Sequence, residues 1–529
     1  MATDRDTEGT ESITSDDLQL QKLGYKPTLH RSWHFVESFA ASFAALDFIN
    51  GVRAVFFLGI YAGGPAAMWS SYVITCIFMW MTAAVLAEIC SALPVSGSIY
   101  TWAAESAGPK YARFFGFIVA FWSSAAWSTF AASNCQTTAN YIVSQLAVWE
   151  IDFPGGIDND NVKWRALIWA VSEGLLILSI AMNYLHPKWF SWIFRFSVAW
   201  ALFDFLLMVI WLPIGVSRSY GFRSASDVFT QTYNGTGASD GWNWILSFYV
   251  ASGTLVGFDA SGHIAEETKN ASVTSARGIF WSAIATGTLG FLTTILFLFC
   301  TPDFDTLFAL GAPQPFVQIF ALAFGPGGSI FATIVATVGL ILNTTCAIVA
   351  SSRLIFAIAR DGVFPGSHWL GQVNEVGQPM NAVTFIFVFA ALLLCTILPS
   401  NVAFTSLVSA AGIPTVAAYG LIAALRLFMT PNDFKTSKFS LGRWAKPFYV
   451  CAIIFNGIVF ATNCSPFFFP VTDTSEINYS PIIMAAITVL ALMAWWFTPA
   501  DKWYSRSQAV QLFEGADGDD ITVKDNRAN

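Results

Sequence analysis

Long apolar stretches follow one another through almost the whole chain, and this feature limits the possible folds more than any other. A helix needs about 20 apolar residues to cross a bilayer, and twelve stretches between residues 36 and 498 are long enough. Since lipid offers the backbone no hydrogen-bond partners, each crossing must be helical. The sequence therefore predicts an all-α integral membrane protein with twelve transmembrane helices. We number the predicted crossings as spans one to twelve: 36–62, 66–92, 114–148, 165–185, 192–214, 242–262, 278–300, 327–352, 380–399, 402–427, 447–464 and 482–498.

The composition supports a membrane protein and excludes several other classes. Of the 529 residues 55% are apolar and 11% are charged, whereas soluble domains contain about 25% charged residues. A net charge of -8 argues against nucleic acid as a partner, because proteins that bind it carry a basic face. The lipid bilayer is the partner that the composition implies.

No pattern of an enzyme, a metal site or a cofactor site is present in the sequence. The eight cysteines contain no C-x-x-C pair, and the five histidines show no metal-ligand spacing with a carboxylate. A phosphate-binding loop of the G-x4-G-K-S/T type is also missing, so ATP-driven transport is not encoded. We predict a protein that is not an enzyme and needs no cofactor.

The distribution of Lys and Arg predicts the orientation in the membrane. With a cytoplasmic N-terminus, the outer loops contain only four of the 26 basic residues, as the positive-inside rule requires. An even number of spans leaves both termini cytoplasmic. The polar tails 1–35 and 499–529 are predicted to be disordered. The sequon at Asn234 falls outside and is a candidate for glycosylation. The four basic residues that fall in the outer loops are Lys163, Arg165, Arg218 and Arg223.

Span one departs more than any other span from the apolar composition that a lipid-embedded helix requires. A charged residue near the middle of a crossing costs about 2.5–3.5 kcal/mol on insertion scales, so its presence needs a reason. The pair Asn50-Gly51 lies between Asp47 and Arg53 and is the pair in this span most able to leave helical geometry. We therefore predict an interruption of the helix near residue 50.

Span six has the same character, with three glycines in the ten residues 253–262 and Asp259 among them. The two spans occupy matching positions if the first ten crossings form two five-helix halves, 36–214 and 242–427, followed by two further helices within 447–498. Paired interruptions in matching halves indicate a transporter site, because broken helices expose amides and carbonyls to a substrate. In the alternative interpretation the glycines only allow close packing, and the acids pair with Arg53 structurally.

Two further residues have open interpretations. Asp204 lies in the middle of span five and could relay a proton, or it could only be hydrogen-bonded to a neighbouring span. Trp127 could form part of a substrate lid or a cation–π wall, although single aromatic residues in this chain are more often packing residues.

Three motifs stand out along the chain: EICSALPVSGSIY at 88–100, FDASGHIAEET at 258–268 and SRLIFAIARDGVFP at 352–365. They resemble motifs of the amino acid–polyamine–organocation superfamily of permeases, in particular its fungal amino acid/choline branch. The resemblance covers nearly the whole chain. It implies a twelve-span, LeuT-like 5+5 inverted repeat with two C-terminal helices, alternating access and, in fungi, usually a proton gradient as the driving force.

The resemblance also implies roles for individual residues. By position, substrate would be held in the unwound middles of spans one and six, while motif residues on the cytoplasmic side would form a gate. Arg53 departs from the small or uncharged residues that are usual at its position. The implied substrate residues are Asn50, Gly51, Val52, Gly257, Phe258 and Asp259, with Arg53 and Trp127 added from the residue analysis. The gating candidates are Glu88, Arg353 and Asp361, and the proton-coupling candidates are Asp47, Asp204 and Glu266.

The sequence as a whole predicts a secondary transporter that imports an amino acid or a similar nitrogenous solute, with proton coupling. The substrate carboxylate would lie on amides near Asn50 and on Arg53, and its ammonium would face Asp259, with Phe258 closing over it. The alternatives are a transporter of a cationic amine such as choline, thiamine or a polyamine, and a nutrient receptor that does not transport. We expect the plasma membrane, with the vacuolar membrane as the alternative.

Overall fold

The computed structural model describes residues 20–21, 23, 25, 28–409, 412–434, 436–499 and 503. Within these ranges the chain is helical, and β-structure is limited to two isolated bridges, Trp33–Thr268 and Ala62–Asn234. Most of the two tails predicted to be disordered lies outside the described residues. The described tail residues lie against the helices, and Trp33 in the segment 28–34 is buried to 1% exposure.

Eleven helices of the described chain are long and apolar enough to cross a membrane, and they correspond to spans one to five and seven to twelve. Span six is also present, but it is divided into pieces that are each too short to cross alone: Asp240–Leu246, Phe248–Thr254 and Ala260–His263. The predicted all-α, twelve-span membrane fold is confirmed. The eleven long helices are Phe35–Tyr61, Gly64–Ala92, Gly108–Val148, Val162–Asn183, Lys188–Arg218, Ala271–Cys300, Pro315–Arg360, Met380–Ile397, Val402–Phe428, Gly442–Cys464 and Ser480–Phe497.

Some helix limits differ from the predicted ones. Span three begins at Gly108 rather than at residue 114, because a polar first turn with Lys110 and Arg113 continues the helix beyond the apolar stretch. The helix Pro315–Arg360 contains a sharp turn at Gly325, with φ 75° and ψ 172°. This turn separates span eight from the short helical segment 315–324 on the far side.

The helices divide into a buried group and an outer group. Spans five and twelve turn large apolar side chains outward, as expected for surfaces covered by lipid, and Trp192 and Phe497 are 67% and 75% exposed. Spans one and six lie side by side in the interior. The Ser42 hydroxyl of span one donates to the Phe258 carbonyl at 2.6 Å, and Ser261 of span six donates to the Ser38 carbonyl at 2.6 Å.

The bundle has two distinct ends. The tail side carries the described parts of both tails, where the Trp503 indole donates to the Tyr100 hydroxyl at 3.0 Å, together with the loops 93–97, 264–270 and 361–379. The far side carries the loops 149–161, 219–239, 301–314 and 465–479. The distribution of basic residues predicts that the tail side is cytoplasmic.

Candidate substrate site between spans one and six

Span one is interrupted at Asp47, which adopts a left-handed conformation with φ 37° and ψ 68° between the helices Phe35–Leu46 and Phe48–Tyr61. The interruption therefore lies three residues before the predicted position, and Asn50 and Gly51 are helical. Aspartate tolerates the left-handed region better than most residues. Gly51 serves close packing instead, because a Cβ there would lie 3.2 Å from a methyl group of Thr254 in span six.

Span six is unwound between Thr254 and Ala260, as the glycines predict. Gly257 has φ 120°, which a side chain would rarely allow. Its amide donates to the Tyr419 hydroxyl at 3.2 Å, and the next carbonyl, that of Phe258, accepts from Ser42. Two of the backbone groups freed by the break are thus already bound by side chains of the protein.

A cavity of about 570 Å³ lies against both interruptions and reaches the far-side loops at Ile157 and Pro313. A second cavity of about 230 Å³ adjoins it at Phe130 and Tyr249 and extends to Trp127 and Gly257. Of the predicted substrate residues, Asn50, Gly51, Gly257 and Trp127 line one of these cavities, as does Asp47. Val52, Arg53, Phe258 and Asp259 do not line either cavity.

Asp47 is the one charged residue among the described residues that line the two cavities. One of its carboxylate oxygens accepts from the Asn50 amide at 2.9 Å, and the other is buried without a hydrogen-bond partner. The rest of the lining is neutral and combines aliphatic side chains with amides, hydroxyls and aromatic rings. These include Asn134, Gln136, Asn140, Asn343, Ser133, Thr137, Phe130, Trp164, Tyr249 and Phe404.

Arg53 is fully buried behind the cavity and is paired with Asp204 of span five. The two guanidinium nitrogens donate to the two Asp204 oxygens at 2.8 and 2.6 Å, and one of them also donates to Asn50 at 2.9 Å. The rings of Phe297 and Phe320 lie 5.8 and 5.7 Å from the guanidinium carbon. Arg53 is fully buried and lines neither cavity, so a substrate carboxylate in the cavity does not reach it, and Asp204 is an ion-pair partner rather than a free acid.

Asp259 lies beneath the smaller cavity with its carboxylate surrounded by polar side chains. It accepts from the Tyr419 hydroxyl and, at 3.3 Å, from the Trp127 indole. His263 Nε2 lies 2.9 Å from the same carboxylate, and His263 Nδ1 contacts the Ser98 hydroxyl. His263 is a site residue for which the motif at 258–268 predicted no role, although its four-residue spacing from Asp259 places both side chains on one face of a helix.

Ion pairs fill the tail side below this site. Arg353 donates to Glu267 at 2.7 Å, and Arg360 donates to both oxygens of Glu266 at 2.9 Å. Burial raises the pKa of Glu266, but the charge and hydrogen bonds of Arg360 outweigh burial, so that the pKa is below its ordinary value. Glu266 therefore remains ionised and is unsuited to carry a proton near neutral pH.

Asp361 accepts a hydrogen bond from Tyr25 of the N-terminal segment at 2.9 Å. Burial raises the pKa of Asp361 to about 7, even though Arg360 and the hydrogen bond from Tyr25 favour the ionised form. Arg353 and Asp361, two of the three gating candidates, thus belong to one tail-side cluster. This cluster separates the cavity from the tail side.

Two other candidates lie away from the cavity. Glu88 accepts from the Leu441 amide at 2.9 Å and from the Tyr449 hydroxyl at 3.0 Å, so it ties span two to the start of span eleven. Asn234 is exposed in a far-side loop, where its amide donates to the Ala238 carbonyl at 2.8 Å. Among the described residues, no group of three His, Cys, Asp or Glu could hold a metal ion.

Comparisons with known proteins agree with this architecture. The family model "Amino acid permease" matches residues 35–492. The "Thiamine transporter thi9" of Schizosaccharomyces pombe is 45% identical over 93% of this chain and 88% of its own, and the "Amino-acid permease BAT1" of Arabidopsis thaliana is 28% identical over 93% and 96%. A crystal structure of the Eremococcus coleocola manganese transporter superposes with a TM-score of 0.54 at 12% identity, over 90% of this chain and 95% of the other. At this identity the structure supports the fold alone.

Proposed function

The chain belongs to the amino acid permease family, and we propose that it imports a positively charged, heteroaromatic amine of the thiamine class by proton-coupled alternating access. Membership of this family makes the chain a multi-pass membrane transporter of a small molecule and not an enzyme. The substrate class, the direction of transport, the coupling to protons and the plasma membrane as its location belong to the proposal.

The charge of the cavity is the observation that carries the proposal. Arg53 and Asp204 neutralise each other, so Asp47 leaves the site with one uncompensated negative charge. A buried carboxylate oxygen without a partner is costly, and a bound cation would remove that cost. The carboxylate of a zwitterion would instead meet the charge of Asp47 without a cationic side chain to offset it.

The neutral part of the lining suits a flat heteroaromatic cation. Phe130, Trp164 and Tyr249 line the cavity, and aromatic rings attract a delocalised positive charge. Side-chain amides such as Asn134 and Gln136 offer both donors and acceptors to an amino-substituted ring. The relative at 45% identity is a thiamine transporter by name, which supports the same substrate class.

The two interruptions supply a way to move such a substrate. The cavity meets the far side, which we take as the outside, while the tail-side ion pairs close the other end. Import then requires that these pairs separate and that the far-side mouth closes. Asp47 and Gly257 have the unusual backbone conformations at which the half-helices can change direction.

An amino acid is the second candidate substrate. The description of the family model and the name of the 28% identical relative favour it, and the amides of the cavity could bind a carboxylate. The two candidates differ in the sign of charge that Asp47 meets, and competition between solutes separates them.

The test is uptake of radiolabelled thiamine by yeast cells that lack their own thiamine uptake. We expect thiamine and its quaternary analogues to compete, whereas zwitterionic amino acids should not. Asp47→Asn should lower uptake by at least about tenfold at equal amounts of protein in the membrane, equivalent to about 1.4 kcal/mol. The matched control is Asp305→Asn, which makes the same change on an exposed far-side helix. Competition by amino acids alone would contradict the proposal.

A further inference from the structure

We propose that Asp259 and His263, with Ser98, form the proton-binding site of this transporter, separate from the site at Asp47 that we assign to the substrate. The inference rests on the proposed proton-coupled transport and deepens it. It identifies the titratable pair that would load and release the coupling proton.

The three side chains form a continuous row in a dry part of the molecule. Asp259, His263 and Ser98 all have an exposed fraction of 0%. His263 Nε2 lies 2.9 Å from Asp259 Oδ2, and on the other side of the ring Nδ1 contacts Ser98 Oγ. Nε2 makes no aligned hydrogen bond, so its contact with the carboxylate is chiefly electrostatic and becomes stronger when the ring carries a positive charge.

The row can bind one proton without moving a heavy atom. In the neutral ring with its proton on Nδ1, this N–H donates to the Ser98 hydroxyl, and Nε2 faces the Asp259 carboxylate without a hydrogen. A second proton, passed from the cavity side through Asp259, binds at Nε2 and converts the ring to imidazolium beside the carboxylate. The charge of the cluster then changes from negative to neutral, which is favourable for fully buried groups.

Asp259 connects this cluster to the substrate cavity. Its other oxygen accepts from the Tyr419 hydroxyl, which in turn accepts from the Gly257 amide at 3.2 Å. Trp127, which donates to Asp259 at 3.3 Å, lines the smaller cavity together with Gly257. A change of charge on His263, in contact with the Asp259 carboxylate, is therefore transmitted through Asp259 to the unwound segment of span six and to the wall of the cavity.

The neighbouring elements contribute no competing charge among the contacts that the structure describes. Span three presents Trp127, span ten presents Tyr419 and the helix Ser98–Ser106 presents Ser98, all of them uncharged near neutral pH. The next acids along the chain are Glu266 and Glu267, which are held in ion pairs by Arg360 and Arg353. The carboxylate of Asp259 has no Lys or Arg partner among the described ion pairs.

Ser98 gives the proton an exit toward the tail side. It begins the helix Ser98–Ser106 directly after the tail-side loop 93–97. The Ser96 amide in that loop donates to Glu266 at 3.0 Å, beside the ion pairs that must separate for inward opening. A proton taken up from the cavity through Asp259 would thus be released through Ser98 when the tail side opens.

The test compares two assays in proteoliposomes that contain the full-length protein and radiolabelled thiamine. For His263→Gln, which cannot titrate, we expect exchange of thiamine without a gradient to remain within about twofold of wild type. Accumulation driven by an inward proton gradient should fall by at least about tenfold, and thiamine-dependent proton influx should be lost. The matched control, His186→Gln in an exposed loop, should leave both assays unchanged.

Two outcomes would overturn the assignment. One is a His263→Gln protein that accumulates thiamine and carries protons like wild type. The other is an equal loss of exchange and accumulation, which would indicate a substrate-binding or structural role.

If the His263→Gln protein does not reach the membrane, the second variant is Ser98→Ala, which preserves both titratable groups. It should shift the pH profile of accumulation while exchange is retained, and an unchanged profile would contradict the assignment. Wild-type protein that accumulates thiamine without carrying protons would instead contradict the coupling in the proposed function.

Discussion

Arg53 shows what a single residue in the sequence does and does not reveal. A guanidinium inside a lipid-embedded segment is correctly identified as anomalous, together with Asp47 and Asn50. Its partner Asp204 lies 151 positions away in another span, and no local pattern connects the two. The pairing reverses the expected charge of the site, from a positive group that holds a carboxylate to a free carboxylate at Asp47.

Replacement of Arg53 tests this interpretation at the residue scale. Arg53→Ala leaves Asp204 charged, buried and unpaired, and breaking a buried pair in this way costs about 3–5 kcal/mol. We therefore expect a strong loss of folded protein, measured as thermal stability by size-exclusion chromatography after heating.

The double variant Arg53→Met/Asp204→Leu removes both charges and fills similar volume. Such replacements are often neutral or stabilising, so the double variant should recover most of the lost stability and should still transport thiamine. An Arg53→Ala protein as stable as wild type but inactive in transport would show that Arg53 contacts the substrate.

At the scale of elements, the sequence located one interruption well and the other only approximately. In span six three glycines cluster around the unwound segment, and Gly257 needs its positive φ. In span one the glycine of the Asn50-Gly51 pair remains helical, because it serves the close approach of Thr254. A glycine in a sequence can indicate a backbone conformation that other residues avoid, or a contact too close for a side chain. Only the tertiary structure distinguishes these two cases.

Gly257→Ala tests whether the unwound segment of span six is required. A residue with a side chain held at φ 120° is strained by about 1–3 kcal/mol, so we expect lower stability and slower transport. Gly174→Ala in span four is the control, since its Cβ would meet no atom within 4 Å. Wild-type stability and uptake in Gly257→Ala would show that this backbone conformation is not needed.

The tail-side cluster predicts a pH dependence. The pKa of Asp361 is raised to about 7, so the folded protein binds a proton at this residue that the unfolded chain releases. Between the ordinary pKa of an aspartate, about 3.9, and about 7, stability should therefore fall as pH rises. The melting temperature of wild type should decrease from pH 5 to pH 7 more than that of Asp361→Asn. Equal slopes would contradict the raised pKa.

At the scale of the whole molecule, hydropathy was sufficient to predict the number, type and order of the spans. Lipid imposes one backbone solution on every crossing, so that the apolar stretches translate directly into helices. The proposed substrate site is lined by residues of spans one, three, four, six, eight and ten, whose mutual positions no local pattern contains. For this reason the cavity, the Asp259–His263 contact and the tail-side cluster required the structure.

The orientation of the molecule can be tested with two of its N-x-S/T sequons, those at Asn234 and Asn270. Asn234 lies on the far side and Asn270 on the tail side, at the start of span seven. We expect a glycosidase-sensitive decrease in electrophoretic mobility that Asn234→Gln removes and Asn270→Gln does not. A glycan on Asn270 would place the tail side outside and contradict the predicted orientation.

Equilibrium binding of radiolabelled thiamine to purified wild-type and Asp47→Asn protein tests the central claim most directly, because it is independent of coupling and of direction. The account predicts saturable binding to wild type and an increase in Kd of at least about tenfold in Asp47→Asn, since the cation loses its counter-charge. The same Kd for both proteins would contradict the claim that this carboxylate holds the substrate.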